Sequence, residues 1–191
     1  MVVMIIGLVL FLGMHSIRIF ADDWRTRKIA RVGNNIWMGI YSLIALTGFV
    51  LIIIGYGQAR MEPVVVWEPS YWTRYITVVL TLPAFILLVA TYIPGTNIKR
   101  MVGHPMLLGV KVWALAHLFS NGMLADLILF GSFLLWSVLD YRTSRRRDRL
   151  AGTVYSSTGV KNDILSMIIG ILAWVLFAAV LHRWLIGVDP L

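Results

Sequence analysis

VVMIIGLVLFLGMHSIRIF, residues 2–20, decides the fold. It has the length of one membrane crossing, which needs roughly 20 mainly apolar residues. It carries no charge before Arg18, and its one ionisable group ahead of that is the imidazole of His15. Working outward, five further stretches have similar character, at about 36–57, 72–93, 103–119, 123–141 and 163–186. The expectation is an all-α, polytopic membrane helical bundle of about six transmembrane helices. The fourth stretch is the weakest, because it holds Lys111 and a histidine near each end. Ser120-Asn121-Gly122 is a tight polar turn that folds the fourth and fifth stretches into a helical hairpin. Pro83 removes a backbone donor in mid-helix and is expected to kink the third span.

Composition agrees. The chain is 59% hydrophobic and 14% charged, with a mean hydropathy of +0.82 over 191 residues, which fits a single integral membrane domain over 1–191. No cysteine is present, so disulfides, thiolate-ligated haem, iron–sulfur clusters and zinc–thiolate sites are excluded. Met1-Val2-Val3-Met4 offers no basic n-region, so the first span is expected to stay in the protein. Gly48 and Gly55 lie seven apart on one helical face, a spacing suited to close helix packing. Trp67, Tyr71 and Trp72 fit an interfacial aromatic belt.

The Lys/Arg distribution predicts orientation. Arg18, Arg25, Arg27, Lys28 and Arg31 follow span one, Lys99 and Arg100 follow span three, and Arg142, Arg145, Arg146, Arg147, Arg149 and Lys161 follow span five. These are 13 of the 17 basic residues, against Arg60, Arg74 and Arg183 on the other side. The positive-inside rule puts the thirteen in the cytoplasm and both termini outside. The net charge of +8 then comes from juxtamembrane clusters beside anionic lipid headgroups. No soluble domain exists to read nucleic acid, so membrane lipids are the expected surroundings.

Ionisable groups at membrane depth are costly and mark functional sites. His15, His104, His117 and Lys111 are the candidates, whereas His182 lies at a span end. His15 shares a helical face with Arg18, and Arg18 can pair with Asp22 four residues on. His104-Pro105 opens the fourth span. Lys111, seven residues after His104, lies on nearly the same face and is expected to meet an acidic group: a carboxylate, a haem propionate or an anionic substrate. Folding about Asn121 brings Asp126 opposite His117, where a carboxylate would fix the imidazole tautomer. Bis-histidine haem needs two imidazoles from different helices, and His15 with either His104 or His117 meets that demand.

Several segments carry a resemblance. Gly13-Met14-His15-Ser16-Ile17-Arg18-Ile19-Phe20-Ala21-Asp22, Tyr41-Ser42-Leu43, Gly55-Tyr56-Gly57-Gln58-Ala59-Arg60, Trp184-Leu185-Ile186-Gly187-Val188 and, above all, the block from Gly103-His104-Pro105 to Ala116-His117-Leu118 resemble the NnrU family. That family is linked to denitrification and nitric oxide metabolism and includes zeta-carotene isomerases, which are haem b membrane enzymes. The resemblance implies a bacterial inner-membrane protein holding haem b, with axial ligands on His15 and His117. With the residue reading above, His104, Lys111 and Asp126 are expected to belong to the same cofactor pocket, and the partner to be a hydrophobic polyene or a redox protein. The activity implied is a haem-dependent, redox-linked isomerisation or a role in nitric oxide metabolism. His104-Pro105 followed by Gly109 is also similar to isoprenylcysteine carboxyl methyltransferases, which would imply an S-adenosylmethionine-dependent enzyme. The paired glutamates of those enzymes are replaced here by Asp140-Tyr141-Arg142.

Overall fold

Uninterrupted apolar runs leave the backbone one way to satisfy its polar groups inside lipid, by hydrogen bonding within each helix. The computed structural model describes residues 1–190 and is helical almost throughout. In chain order the helices are α1 (Val2–Phe20), α2 (Asp22–Val32), α3 (Asn34–Met61), α4 (Thr73–Tyr92), α5 (Asn97–Val102), α6 (Pro105–Ser120), α7 (Leu124–Leu150) and α8 (Val160–Leu176). A π-helical turn, Phe177–Leu181, then leads into the short α9 (His182–Ile186). Among the described residues the sole β feature is the isolated Val65–Met123 bridge, which pins the loop after α3 to the hairpin turn.

Five helical segments are long and apolar enough to cross a membrane: α1, α3, α4, α7 and the continuous α8–α9 stretch Val160–Ile186. The sixth, α6, has 16 residues. At 1.5 Å per residue it reaches about 24 Å, short of a hydrocarbon core of about 30 Å. Thus the weakest of the six expected spans is a short helix packed between α4 and α7. Two other boundaries differ from the sequence reading. The segment after span one is a surface helix, α2, with no buried residue. Helix α7 runs past residue 141 to Leu150, carrying the arginines on a helix rather than a loop. Pro83 sits inside α4, which continues unbroken through it.

Lipid is as apolar as leucine, so helix association relies on close packing through small residues. The α1–α3 pair shows this most clearly. A Cβ on Gly7 would lie 2.6 Å from the Ile52 amide nitrogen, and one on Gly48 would lie 2.6 Å from that of Phe11. A Cβ on Gly55 would collide with the Met4 backbone. Gly48 and Gly55 therefore do what their spacing suggests, and Gly7 supplies the opposing notch. Gly109 against Ala84 and Gly170 against Ile86 repeat the device at α6–α4 and α8–α4. The buried cluster joins Met4 and Leu8 of α1, Ile52 and Ala59 of α3, Ala114 of α6, and Ala125, Leu129 and Phe130 of α7. Leu46, Ile53, Val79 and Leu172 point outward, as lipid-facing side chains should.

The helices define two ends. At one, Arg147 donates to the Arg18 carbonyl, Tyr141 to the Val102 carbonyl, and Asn97 to Asp163. This end collects the basic segments. At the other, Arg60 donates to the Ile186 carbonyl, and Val66 and Trp67 donate to that of Gly122.

Gly55→Val should force α1 from α3 and cost about 1–3 kcal/mol, the usual range for overpacking. Gly13→Val, where no atom lies within 4 Å of the added Cβ, is the control. Thermal unfolding in detergent should show a lower midpoint for the first variant and little change for the second.

Candidate functional site

On α1 the spacing Gly7, Phe11, His15 continues the packing seam one residue per turn, so His15 faces Tyr41 of α3. Its ring lies 4.3 Å from that of Phe11 and 5.4 Å from that of Tyr41. The edge of Trp136, on α7, closes the niche at 5.8 Å. His15 Nδ1–H donates to the Phe11 carbonyl at 2.7 Å. In a neutral imidazole this leaves the Nε2 lone pair free. The buried Trp136 Nε1–H has no acceptor among the described residues. The expected Arg18–Asp22 pair is replaced by Arg25–Asp22 at 3.6 Å, since the start of α2 puts those two three residues apart on one face.

His117 reproduces the same arrangement on α6. Its Nδ1–H donates to the Trp113 carbonyl at 2.9 Å, and its ring stacks on Phe130 at 4.6 Å. It lines a cavity of about 170 Å³ between α4, α6 and α8. Thr77, Ser120, Arg74 and His182 line the same space. Thr77 Oγ1 donates to the Ala116 carbonyl at 2.8 Å and lies 2.8 Å from Ser120 Oγ. His182 follows the π-helical turn and donates Nδ1–H to the Val188 carbonyl at 2.8 Å. Single π turns inside helices occur frequently at functional sites. This one contributes Phe177 and Ala178 to the cavity wall. By position in the sequence His182 is only a span-end residue. What brings it to the cavity is the extra backbone residue in the turn, which no residue type announces.

Asp126 does not orient His117. It accepts from Tyr56 Oη at 2.6 Å and from the Met123 amide at 3.2 Å, capping α7. A carboxylate at the third position of a helix satisfies orphan amides there, and the tyrosine hydroxyl takes its other oxygen. The backbone of α6 supplies the acceptor that fixes the His117 tautomer.

His15 and His117 both lie against α7, but at Trp136 and Phe130, six residues apart. Six residues span about 9 Å along a helix. Phe133, touching both Phe11 and Trp113, fills the interval. Iron–nitrogen bonds of roughly 2 Å would need the two Nε2 atoms about 4 Å apart. The structure keeps these two imidazoles in separate niches.

His104 and Lys111 belong to the basic end. His104 caps α6 and Pro105 occupies its first position. The His104 Nε2–H donates to Asp148 at 2.9 Å, Tyr155 Oη donates to the same carboxylate oxygen at 3.0 Å, and Arg145 approaches it at 3.5 Å. His104 and Lys111 do share a face, and Tyr141 lies between them and the arginines. Lys111 Nζ sits 4.7 Å over the Tyr141 ring, and the His104 ring meets its edge at 6.4 Å. Within the described residues Lys111 thus meets an aromatic face rather than a carboxylate. A cation over a ring gains from the ring quadrupole without a second buried charge. Among the described residues no three His, Asp, Glu or Cys side chains gather as a metal site.

Fold and side-chain placement together define a polytopic helical membrane protein with imidazoles held inside the bundle. The chain belongs to the NnrU family: the family pattern described as "NnrU protein" matches residues 3–190. No curated protein and no solved structure matches it.

Partial burial, then the Asp148 carboxylate, raises the Tyr155 hydroxyl above its ordinary ionisation range. The folded protein should keep this proton where the unfolded chain loses it. The contribution to stability is therefore complete below the ordinary tyrosine range and is lost as pH rises from that range through the raised folded value. An ultraviolet difference titration against Tyr155→Phe should show this tyrosine ionising late, and Asp148→Asn should bring it earlier.

Proposed function

We propose that this NnrU-family protein binds haem b at His117 in a bacterial inner membrane, basic end inward, and serves nitric oxide metabolism. One observation carries the reading: His117 is an imidazole at membrane depth whose Nδ1 proton is already engaged and whose Nε2 is left as a donor to a cavity. That is the tautomer an axial ligand needs, and an acceptor on the other nitrogen raises its basicity.

The fit is partial. The donor chemistry suits haem at His117. The cavity's 170 Å³ falls below the roughly 300–1,000 Å³ of ligand pockets, and His15 is not among its lining residues. When bound, haem would supply one-electron and gas-ligand chemistry. The chain itself contributes a fixed imidazole tautomer, a stacking face at Phe130, hydroxyl groups at Thr77 and Ser120, and Arg74 in the cavity lining as a cation for a carboxylate such as a propionate. Two imidazoles compete for the opposite side: His15, favoured by the family resemblance, and His182, favoured by the shared cavity. The methyltransferase alternative needs a carboxylate free for the cationic sulfonium. The carboxylate that meets the histidine–proline segment, Asp148, already serves His104, Tyr155 and Arg145.

Haem content and the low-spin spectrum of gently extracted protein test this. His117→Ala should abolish the low-spin form. Whichever of His15→Ala and His182→Ala also does so identifies the second ligand. Haem-free wild type, or full haem with His117→Ala, would overturn the reading. Separately, a reporter fused after Leu150 should report the cytoplasmic side and one at the amino terminus the outer side. The reverse pattern would overturn the orientation.

A further inference from the structure

At the basic end, Tyr141, Arg142, Arg145, Arg146 and Arg149 of α7 line a concavity whose lining includes no carboxylate side chain, and of these arginines Arg145 alone reaches one, Asp148 at 3.5 Å. The pattern of α7 sorts its arginines. Arg147 turns towards Asp140 at 3.7 Å, Ser144 at 2.7 Å and the Arg18 carbonyl, so its charge is used within the bundle. Arg145 is partly engaged with Asp148 and packs on Gly103, whose φ of +74° lets the chain pass beneath it. Arg142, Arg146 and Arg149 are exposed and have no carboxylate partner among the described residues. Lys111 lies outside this lining, over the Tyr141 ring. Four arginines face one hollow, and three of them, Arg142, Arg146 and Arg149, meet no carboxylate among the described residues. Their mutual repulsion costs least when an anion is present, and guanidinium forks match phosphate oxygens in pairs.

We propose that this hollow is a phosphate-binding site for an anionic headgroup, seated where α7 leaves the bilayer. Its ligand chemistry is a phosphate mono- or diester, supplied by an anionic phospholipid or by a soluble phosphate compound. The site is independent of the haem reading and differs from general attraction to an anionic surface, because it saturates and depends on these arginines rather than on net charge.

The test compares wild type with the triple variant R142Q/R146Q/R149Q and with the control R25Q/R27Q/K28Q, which removes equal charge from α2. Each protein, in neutral detergent, is titrated with phosphatidylglycerol in mixed micelles and, separately, with pyrophosphate, with thermal stabilisation as the readout. Wild type and the α2 control should show saturable stabilisation. The α7 triple variant should bind on the order of a hundredfold more weakly, since each interfacial cation is worth roughly fivefold. Saturation by the lipid alone assigns a lipid headgroup, and saturation by pyrophosphate alone assigns a soluble phosphate. If the triple variant does not fold, Arg146→Glu gives the same comparison. Equal weakening in both triple variants, or no saturable response in wild type, would overturn the proposal.

Discussion

The contact of two helix backbones along α1 and α3 fixes where a buried side chain has room. Gly7, Gly48 and Gly55 let the chains approach until a single Cβ would collide with backbone. Tyr41 lies seven residues before Gly48, and His15 lies eight after Gly7. The seam that removes side chains at its centre therefore opens towards the basic end into a niche holding His15 and Tyr41. On α6 the same logic applies. Gly109 packs on Ala84 of α4, and one helical repeat away the seam opens where Thr77 bonds the Ala116 carbonyl beside His117. Each imidazole occupies the space left where a small-residue seam ends.

Both of these imidazoles solve the cost of burial locally. Donation to the carbonyl four residues back needs no partner from another helix, so neither position depends on a distant acid. That carbonyl is already an acceptor within the helix, and its second lone pair is what the ring takes. Aromatic neighbours do the rest: Phe130 stacks on His117, and Phe11 with Trp136 encloses His15. A polar atom held this way stays chemically available at its other nitrogen.

The spans, the hairpin and the charge asymmetry were legible in the sequence because they depend on length, apolarity and counting. The Gly48–Gly55 spacing was legible too, since helical period is fixed. What escaped the sequence depends on helix rotation and on contacts far apart in the chain. Asp126 meets Tyr56, seventy residues earlier, and the hairpin turn gives no hint of that hydroxyl. Lys111 lies over Tyr141 rather than an acid because α6 and α7 face each other through that ring. The arginines after residue 141 continue α7, since Arg is a good helix former and Tyr141, Arg145 and Asp148 are spaced to line one face.

Hydrogen bonding also divides the four histidines by chemistry rather than by depth. His15, His117 and His182 each bond through Nδ1 to a backbone carbonyl and keep Nε2 free. His104 is the opposite: its Nε2 is committed to Asp148, a carboxylate shared with Tyr155 and Arg145. That bond ties the start of α6 to the end of α7 and to the segment leading into α8, so His104 works as a clasp on the basic end. Ligation through the His104 Nε2 would have to open this clasp and leave Asp148 facing Arg145 and Tyr155 alone. With the clasp closed the electron pair of a neutral His104 lies on Nδ1, at the start of α6, whereas the other three imidazoles carry theirs on Nε2. Among them His117 and His182 line the cavity between α4, α6 and α8, and His15 is separated from His117 by the Phe11–Phe133–Trp113 layer. For the proposed haem, the choice between His15 and His182 as second ligand turns on whether that aromatic layer moves.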